Sequence, residues 1–503
     1  MGKVPKVAII GAGPAGLVAA RYLLQHGFDP VLFEQSSRLG GQWNQGAAHS
    51  GIWPGMLTNT SRVNTHFSDL PWPTAVHMFP HNQQVHEYLV RYAEAFGITT
   101  RTRFQQAVEM VEHNGNGYDI TSLRPDGGRR TETFPYVIVA TGRYTTPKFP
   151  SISGLETFSG VGGVSHTFEF RGGDRFRGRR VVVTGCGISA VEIAPELAMN
   201  GAARVISSLR RQRYVLQRII AGVPIDLLLF TRFGVLAAEH LPEDLVKKDF
   251  KDFILRTSGN PEQWGALRAH EDPSIAGITQ AQYYLPFIAE GRMVSKPWIR
   301  HIDGKLVVFE DGTTEETDAL LFATGFSLNL PFLSSSIRAA IGADGPALRL
   351  YKHTFHPKFP GMAFLGLFHQ AGPLFPPLEL QARWVTYTWA GLCRDSSAQT
   401  MAAAIAAETP SQAPLLMHQQ CIAFARAAGV EPDPAQWPNL KRALLFGPLS
   451  AVSFRLSGPD ALPDAEQQVA TEAAEFGLIP SSEFTPEQTL KLELLRQAGG
   501  LDA

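Results

Sequence analysis

The sequence predicts an α/β fold with two Rossmann-like dinucleotide-binding domains, the second inserted in the first, and a helical C-terminal extension. Two observations support this fold class. An apolar strand, a glycine-rich turn and a helix follow one another near the N-terminus and again after residue 180. In each copy a later apolar strand ends in Thr-Gly, at Thr141-Gly142 and at Thr324-Gly325. An internal near-repeat of this kind indicates two copies of one structural unit.

The first glycine-rich turn follows the apolar strand 7–10 and has the G-x-G-x-x-G spacing. In this motif the first glycine permits a tight turn, the second lets the backbone approach a diphosphate, and the third lets the helix pack on the strand. The helix should run from Ala15 to His26 and the next strand from Asp29 to Glu34. Glu34 lies near the ~20-residue distance expected of the acid that binds a ribose 2′-hydroxyl. We therefore expect dinucleotide contacts from Gly11, Gly13, Pro14, Ala15, Gly16, Glu34 and Gln35.

A glycine-containing loop at residues 39–43 and an irregular segment at 44–83 come next. A long irregular segment inside a compact domain is usually functional or disordered, and its aromatic residues argue against disorder. We interpret it as wrapping the cofactor. The contacts expected from this region and from the later strands of the first unit are Gly41, Gln42, Trp43, Thr58, Asn59, Val108, Ala140, Thr141 and Gly142.

The second glycine-rich turn follows the strand Arg180–Thr184 and opens a helix that should end near Asn200. The next strand leads into Ser208-Leu209-Arg210-Arg211 and carries no acid in the place of Glu34. A carboxylate there would repel a 2′-phosphate, whereas arginine can bind it bidentately. The sequence thus predicts NADPH rather than NADH, although a solvated basic turn is the alternative. The expected contacts are Gly185, Gly187, Ser189, Ala190, Ser208, Arg210, Arg211, Thr324 and Gly325.

These signals divide the chain into four predicted parts. Residues 1–150 form the first part of the first nucleotide domain, and residues 331–440 form its second part. Residues 151–330 form the NADPH-binding domain, with a helical insert at about 215–290. Residues 441–503 form a C-terminal extension. Within these parts the local patterns predict strands around 98–104 and from Gly361 to Phe368, a helix from Glu379 to Ala390, a helix end at Gly27 and a helix start at Thr485-Pro486-Glu487.

Composition excludes several classes of function. The chain has 503 residues, 44% hydrophobic and 18% charged, with a formal net charge of -1, so no nucleic-acid partner is expected. No run of about 18 uncharged apolar residues exists, so no membrane span is expected. The best candidate, 215–238, is interpreted as a buried or cleft-lining helical segment. The glycine motif begins too early for a signal peptide, which predicts a cytoplasmic protein.

The 3 cysteines include no C-x-x-C pair. A dithiol relay is thereby excluded, and a reducing compartment without structural disulfides is indicated. No metal site is predicted.

The motifs together resemble the class B flavin monooxygenases and, among these, the flavin-containing monooxygenase family. The resemblance covers about residues 5–465. Beyond the two nucleotide motifs it is carried by several segments in the right order: Gly40-Gly41-Gln42-Trp43, Leu57-Thr58-Asn59-Thr60, Phe67-Ser68-Asp69-Leu70-Pro71, Ala140-Thr141-Gly142, Ala323-Thr324-Gly325-Phe326, Glu379-Leu380-Gln381-Ala382-Arg383-Trp384, Phe446-Gly447-Pro448 and Phe454-Arg455-Leu456-Ser457-Gly458-Pro459.

The resemblance departs from the family pattern at two places. The fingerprint F-x-G-x-x-x-H-x-x-x-(Y/F) is kept at Phe158-x-Gly160 and His166-x-x-x-Phe170, but five residues instead of three separate Gly160 from His166. Ile188 stands where the family usually has asparagine. We interpret the first departure as a loop insertion. Either departure can change how the nicotinamide is positioned.

The resemblance implies FAD in the first domain and NADPH in the second. It also implies reaction of the reduced flavin with O₂ to a C4a-(hydro)peroxide that oxygenates a nucleophilic nitrogen or sulfur of a small molecule. Asn59 would lie at the flavin's reactive edge, where its amide can donate to the peroxide and to NADP⁺; the alternative is a turn or glycosylated asparagine. A homodimer is common in the family.

Four other classes of flavoprotein are alternatives to this interpretation. A Baeyer–Villiger monooxygenase usually continues the fingerprint as His-x-x-x-Trp, whereas Phe170 occupies that place here. A pyridine nucleotide–disulfide reductase would need the missing cysteine pair. A non-catalytic FAD-binding redox sensor or scaffold is disfavoured by the intact second motif with Arg210. An NADPH oxidase that only releases hydrogen peroxide remains open.

Overall fold

Two parallel β-sheets, one in each predicted unit, organise the chain. The computed structural model describes residues 4–73, 75–345, 347–408 and 414–500. The first sheet has five strands in the order Met362–Phe364, Tyr136–Val139, Lys6–Ile10, Asp29–Phe33 and Thr102–Arg103. The second sheet also has five, in the order Val294–Pro297, Arg204–Leu209, Arg180–Thr184, Ala319–Phe322 and Gly163–His166. All neighbours within both sheets are parallel, as expected for short apolar strands covered on both faces.

Each unit also carries one three-stranded antiparallel sheet at the corresponding place in the repeat. In the first unit its strands are Ala107–His113, Tyr118–Leu123 and Arg129–Phe134; in the second they are Ile299–Asp303, Leu306–Phe309 and Thr314–Glu316. The predicted repeat is therefore confirmed down to its secondary sheets. Shorter strands pair as Thr146–Pro147 with Phe326–Ser327, Tyr214–Leu216 with Ile278–Gln280, Ile219–Ile220 with Val223–Pro224, and Gln370–Ala371 with Leu415–Leu416.

The helices follow the predicted periodicity closely. In the first unit they are Pro14–Gln25 and Asn82–Ala95, and in the second Ile188–Met199, Ile225–Leu229, Arg232–His240, Glu243–Ser258, Pro273–Ala276 and Tyr284–Ala289. The remainder of the chain adds Ser335–Ile341, Phe375–Ala390, Ala398–Ala407, Met417–Ala428, Lys441–Phe446, Ala465–Ala474 and Pro486–Gln497. The last of these begins after Thr485, whose hydroxyl accepts from the Gln488 N–H at 3.2 Å, as its sequence predicts.

The structure corrects four element predictions. The segment 215–238 is not helical throughout: it opens with a strand and a hairpin around Gly222, whose φ is +86°, before the helices begin at residue 225. The strand expected at 98–104 is mostly the 3-10 turn Thr99–Arg101. The strand expected at 361–368 is limited to Met362–Phe364. The helix expected from Glu379 starts at Phe375, because prolines are tolerated in a first helical turn.

The core of the first unit lies on both faces of its sheet. On one face pack the helices Pro14–Gln25, Phe375–Ala390 and Met417–Ala428. On the other face pack the antiparallel sheet and the helix Ser335–Ile341. The second sheet is covered by the helices Ile188–Met199 and Tyr284–Ala289 on one face and by strands 299–309 on the other.

Cys186, Cys393 and Cys421 are free thiols. In the described ranges no helix has the length and apolarity needed to cross a bilayer. The same residues hold no group of three or more His, Cys, Asp or Glu side chains suited to a metal ion.

Candidate cofactor sites and the cleft between them

The first glycine turn lies at the carboxyl end of the central strand of the first sheet. Gly11 has φ +106°, and a Cβ atom there would lie 2.6 Å from the Ala140 carbonyl oxygen. A Cβ on Gly16 would lie 2.0 Å from the Gly11 carbonyl oxygen, so only glycine lets the helix pack this closely. Gly13 precedes the helix, which has Pro14 at its first position and no side-chain cap. Its free backbone N–H groups suit a diphosphate.

Glu34 is fixed beside this turn. Its two carboxylate oxygens accept from the backbone N–H groups of Ala12, at 2.9 Å, and Ser36, at 2.8 Å. The residue is 3% exposed. Each oxygen keeps a lone pair for a ribose hydroxyl, since a carboxylate offers about four acceptor sites. Gln35 next to it is exposed and contacts His49 through its amide, 3.1 Å from the ring Nδ1.

Val108 and Ala140 to Gly142 approach the same turn from neighbouring strands. The Gln106 N–H donates to the Glu34 carbonyl at 2.9 Å, which places the start of the strand with Val108 beside the acid. The Ala140 N–H donates to the Ile10 carbonyl at 2.9 Å. The buried hydroxyl of Thr141 has no hydrogen-bond partner among the described residues. An orphaned hydroxyl at the diphosphate turn fits a bound nucleotide.

The loop with Gly41, Gln42 and Trp43 packs directly on the turn. A Cβ on Gly41 would lie 2.9 Å from the Gly13 Cα. The three residues form a 3-10 turn, and the Gln42 amide donates to the Tyr144 carbonyl at 2.7 Å. Trp43 lines a polar cavity of about 350 Å³ together with Arg38 and His86. The predicted contacts of the first unit therefore converge on one edge of its sheet.

Thr58 and Asn59 lie on the segment that wraps from this edge towards the second unit. The Thr58 hydroxyl is buried and donates to the Thr60 carbonyl at 2.8 Å. The Asn59 carbonyl accepts from the Gln280 amide, and Asn59 lines the cleft between the two units. No side-chain hydrogen bond to other described residues engages the Asn59 amide.

The insert of the second unit holds this segment in place through Asp226. Asp226 is fully buried and accepts from the Ser61 N–H at 3.1 Å, the Ser61 hydroxyl at 2.8 Å and the Asn64 amide at 3.0 Å. Burial raises the pKa of Asp226, and these donors work against the shift. The carboxylate thus acts as an acceptor that fixes the backbone just after Asn59.

The second glycine turn repeats the geometry of the first. Gly185 has φ +102°, and its Cβ would lie 2.7 Å from the Ala323 carbonyl oxygen. Gly187 precedes the helix with no side-chain cap, and a Cβ there would meet no atom within 4 Å. Ser189 and Ala190 form the first turn of that helix, and Thr324-Gly325 closes the unit at the same edge. This open, uncapped turn fits a second diphosphate.

The residues expected at the 2′-phosphate separate into two groups. Arg210 and Arg211 are exposed, and the Arg210 guanidinium stacks 4.3 Å from the centre of the Trp298 ring. Ser208 does not join them, because it is buried and its hydroxyl donates to the Pro297 carbonyl at 2.9 Å. Its hydroxyl proton is therefore used inside the sheet, and the expected contact of Ser208 with the nucleotide stays a prediction.

The fingerprint residues lie where the two units join. His166 ends a strand of the second sheet, is buried, and accepts from the Phe168 N–H at 3.0 Å. Its ring packs 5.1 Å from that of Phe326 in the returning linker. Burial lowers its pKa. The two extra residues belong to the turn before this strand, where Val161 is 73% exposed.

A cleft of about 280 Å³ separates the first unit from the helix Ile188–Met199. Asn59 and Trp53 line it from the first unit, Arg218 from the insert of the second unit, and Glu192 and Glu196 from the helix. Sequence reasoning missed Asp226, Arg218 and both glutamates. A signal existed for the glutamates, since two acids one helical turn apart follow the second glycine turn, but a helix face cannot be assigned to a cleft without its packing partner.

Comparison with known proteins gives the same picture. The model of the flavin-binding monooxygenase-like family matches residues 4–476. The chain is 31% identical over 502 residues to the N-oxide-forming dimethylaniline monooxygenase 2 of Rattus norvegicus, covering 93% of this chain and 92% of the relative. It is 30% identical to flavin-containing monooxygenase 2 of Homo sapiens, over 93% of this chain and 91% of the relative.

Solved structures share the fold. The S-allyl-L-cysteine S-oxygenase from Allium sativum matches with a TM-score of 0.63 at 21% identity, over 99% of each chain. The cyclohexanone monooxygenase from Rhodococcus sp. Phi1 bound to NADP⁺ matches with a TM-score of 0.62 at 19% identity, over 85% of this chain and 98% of that one. The chain accordingly belongs to the flavin-binding monooxygenase-like family and is a flavoprotein monooxygenase that uses FAD and NADPH.

Proposed function

We propose that the enzyme oxygenates a nucleophilic nitrogen or sulfur atom of a small molecule in the cleft beside Asn59. The observation that supports this proposal is that residues of both units line this cleft. Asn59 from the first unit faces the helix that opens at the second glycine turn, and its amide has no side-chain hydrogen bond to other described residues. An amide left free at the junction of two nucleotide sites is available to bound cofactor and oxygen.

The residues around both glycine turns fit the two nucleotides. When bound, FAD supplies the activation of O₂ and NADPH supplies the two electrons. The chain would bind and orient them: the uncapped helix starts would hold the diphosphates, Glu34 would accept from the ribose hydroxyls, and Arg210 and Arg211 would bind the 2′-phosphate. The buried segment around Asn59 excludes water from the reacting edge.

Asn59 has the central role in this proposal. Its amide N–H₂ can donate to an oxygen that develops negative charge, which is the kind of preorganised donor that stabilises a transition state. Asp226 keeps the amide in place through the hydrogen bonds that it accepts from Ser61 and Asn64. No nucleophile–base pair is required of the chain.

The test is a product assay with labelled oxygen. Purified holoenzyme receives NADPH, ¹⁸O₂ and in turn a tertiary amine, a thioether or a ketone. Label in an N-oxide or sulfoxide supports the proposal, and label in an ester instead of these would establish Baeyer–Villiger chemistry. NADPH consumption with only hydrogen peroxide as product, or no NADPH consumption, would contradict it.

Asn59→Ala gives the residue-level test. We expect product formation to fall by about 100-fold, the size of effect seen when one such donor is removed. NADPH oxidation should continue with release of hydrogen peroxide, because reduction does not need the amide. Asn116→Ala, in an exposed turn far from the cleft, is the matched control. Unchanged product yield in Asn59→Ala would remove Asn59 from the mechanism.

We also propose the division of the chain at about residues 150 and 330. The support is the pairing of the two short linker strands, Thr146–Pro147 and Phe326–Ser327, at the crossing between the sheets. Residues 331–440 then complete the FAD domain, and residues 441–503 follow it. Limited proteolysis should cleave first near these linkers.

We also propose that the enzyme is cytoplasmic and forms a homodimer. The three free thiols support a reducing compartment. Fractionation of expressing cells would test the location, and light scattering of the holoenzyme would test the dimer.

A further inference from the structure

The cleft follows one face of the helix Ile188–Met199. Its lining includes Ile188, Val191, Glu192, Pro195, Glu196 and Met199, a spacing of three and four residues that marks a single helical face. At 1.5 Å per residue, this lining extends for roughly 17 Å along the axis. Asn59 lines the same cleft, and so do two exposed side chains, Met199, 50% exposed, and Tyr283, 46% exposed. We call the cleft the channel and its exposed apolar and aromatic side chains the apolar mouth.

Polar groups inside this channel are incompletely paired. The Glu196 Oε2 atom accepts from the Trp53 indole N–H at 2.6 Å. The buried Oε1 atom of Glu192 has no hydrogen-bond partner in the described part of the chain. Arg218 is 7% exposed and lines the same cleft, and its Nε atom likewise has no partner there. Buried polar atoms left in this state indicate a missing ligand.

The charges of the channel do not balance. Its charged groups, among the residues described, are the Glu192 and Glu196 carboxyls and the Arg218 guanidinium. Burial raises the pKa of Glu192, and Arg218 opposes that shift. Burial and the charge of Glu192 raise the pKa of Glu196 to about 7, against the indole hydrogen bond. With both carboxyls ionised, the two carboxylates and the single guanidinium leave a net negative charge, which one bound cation or one proton would neutralise.

We propose that this channel admits amine substrates as ammonium ions and that the Glu192–Glu196 pair takes their proton before the nitrogen reaches Asn59. The proposal rests on the function proposed above and adds how amines are selected. The apolar mouth suits the substituents of a lipophilic amine, and the carboxylate pair suits its charge.

The proton transfer balances without a further reagent. The ammonium N–H bond breaks, an O–H bond forms on a carboxylate oxygen of the pair, and the electron pair stays on nitrogen. Nitrogen can accept oxygen only with this electron pair free, whereas a thioether sulfur needs no deprotonation. A carboxyl that titrates near neutral pH can take the proton and later release it to solvent at the mouth.

The test compares two probes with the same skeleton, N,N-dimethylbenzylamine and benzyl methyl sulfide. In Glu192→Gln/Glu196→Gln holoenzyme we expect kcat/KM for the amine to fall by about tenfold or more near pH 7, because the variant lacks the carboxylates that accept the ammonium proton. The value for the sulfide should change by less than about twofold. Glu290→Gln, at an exposed position of the same unit, is the control.

The pH profile separates a proton-accepting role from a structural one. With the intact pair, kcat/KM for the amine should rise as Glu196 ionises through about pH 7. In the double variant that inflection should disappear, and the rate should follow the free-amine fraction in solution. A non-reacting cation, N,N,N-trimethylbenzylammonium, should inhibit sulfide oxygenation by the intact enzyme and lose potency in the variant.

Each outcome decides one question. Equal losses for amine and sulfide, or an unchanged pH profile, would overturn the role of the carboxylate pair while leaving the proposed function in place. No oxygenation of either probe by the intact enzyme would overturn the proposed function itself. Should the double variant fail to fold, Glu196→Gln alone gives the same comparison, with NADPH-driven flavin reduction as the check of integrity.

Discussion

Arg210 is the side chain that we expect to decide between NADPH and NADH. It stands exposed at the end of the strand Arg204–Leu209, and Trp298 holds its guanidinium plane by stacking. A charge-assisted bond to phosphate contributes about 1.5–3 kcal/mol. Arg210→Ala should therefore raise KM for NADPH by about 10- to 100-fold while leaving KM for NADH unchanged, as measured by initial rates of flavin reduction.

The control for this change lies on the same strand. Arg204→Ala, at the other end and paired with Glu315, should leave both KM values as they are. Equal weakening of NADPH and NADH by Arg210→Ala would show that the arginine does not read the 2′-phosphate.

Glu196 links the chemistry of the cleft to stability. Its pKa is raised to about 7 in the folded protein, so the folded state binds the proton more tightly than the unfolded chain. Ionisation of this carboxyl thus lowers the free energy of unfolding as pH rises from about 4.3 to about 7. Glu196→Gln should raise the melting temperature at pH 8, by an amount equivalent to roughly 1 kcal/mol after solvent screening, and have no effect at pH 4. A melting temperature unaffected at both pH values would contradict the shifted pKa.

At the scale of elements, the contact between the first helix and the first strand is decided by Gly16. A methyl group there would lie 2.0 Å from the Gly11 carbonyl oxygen, which is backbone and cannot turn away. Gly16→Ala should push the helix from the strand, distort the diphosphate turn and yield protein without bound flavin, visible as loss of the yellow absorbance.

Gly27→Ala tests the same helix at its other end. A Cβ there meets no atom within 4 Å, although φ is +81°. The cost should be about 1 kcal/mol from the left-handed backbone alone, with flavin retained. Retention of flavin in Gly16→Ala would mean that the helix can shift without cost.

The helix Ala465–Ala474 holds the segment that follows Asn59. Glu472 contacts the buried His66 ring, with Oε1 3.1 Å from Nε2, and just beyond the helix Glu475 pairs with Arg62 at 2.9 Å. Burial opposes charge on His66, but the hydrogen bond and charge of Glu472 and the Phe67 carbonyl outweigh it and raise its pKa. A raised histidine pKa adds stability below the unfolded value of about 6.5 and loses it as pH rises through the folded value.

We therefore expect the melting temperature to fall above neutral pH. Glu472→Gln should flatten this dependence and destabilise the protein by about 1–3 kcal/mol at pH 6, where the charged pair is intact. Glu466→Gln, exposed on the same helix, should keep the dependence. The same pH slope in Glu472→Gln as in the parent protein would exclude His66 as its source.

At the scale of the whole molecule, one buried polar network ties the N-terminus to the C-terminal region. Glu379 is 1% exposed and accepts from the Tyr22 hydroxyl at 2.8 Å and the Ser68 N–H at 2.8 Å. Arg455 donates to the Tyr22 hydroxyl at 2.7 Å and lies 3.5 Å from Glu379. Residues far apart in sequence thereby meet on one carboxylate.

Breaking this network from one side should be severe. Arg455→Met leaves Glu379 as an uncompensated buried charge, which costs about 3–5 kcal/mol. Chemical denaturation should show this loss, and Glu379→Gln/Arg455→Met should recover much of it, because both members of the buried pair are then neutral. A double variant as unstable as the single one would show that the packing, not the charge, is decisive.

The sequence by itself determined the two nucleotide units, their nesting and most residues of the glycine turns. Short apolar strands and the glycines Gly11, Gly16 and Gly185 can be recognised in the sequence, because the backbone conformation of a strand or a tight turn depends mainly on the residues within it. The same holds for the helix boundaries marked by Gly27 and Thr485. The position of Arg210 and Arg211 at the end of the second strand of their unit could be predicted because that strand end has a fixed place in the fold, and their contact with a 2′-phosphate stays a prediction.

Only the tertiary structure decided what lies across the cleft. Arg218 and Asp226 come from a segment whose apolar run favoured helix, and long-range contacts made its first part a strand and a hairpin instead. Ser208 belonged to the right strand end, yet its side chain turned into the sheet towards Pro297. Glu192 and Glu196 became cleft residues because the first unit packs near one face of their helix. Such pairings join distant parts of the chain, and no local pattern specifies them.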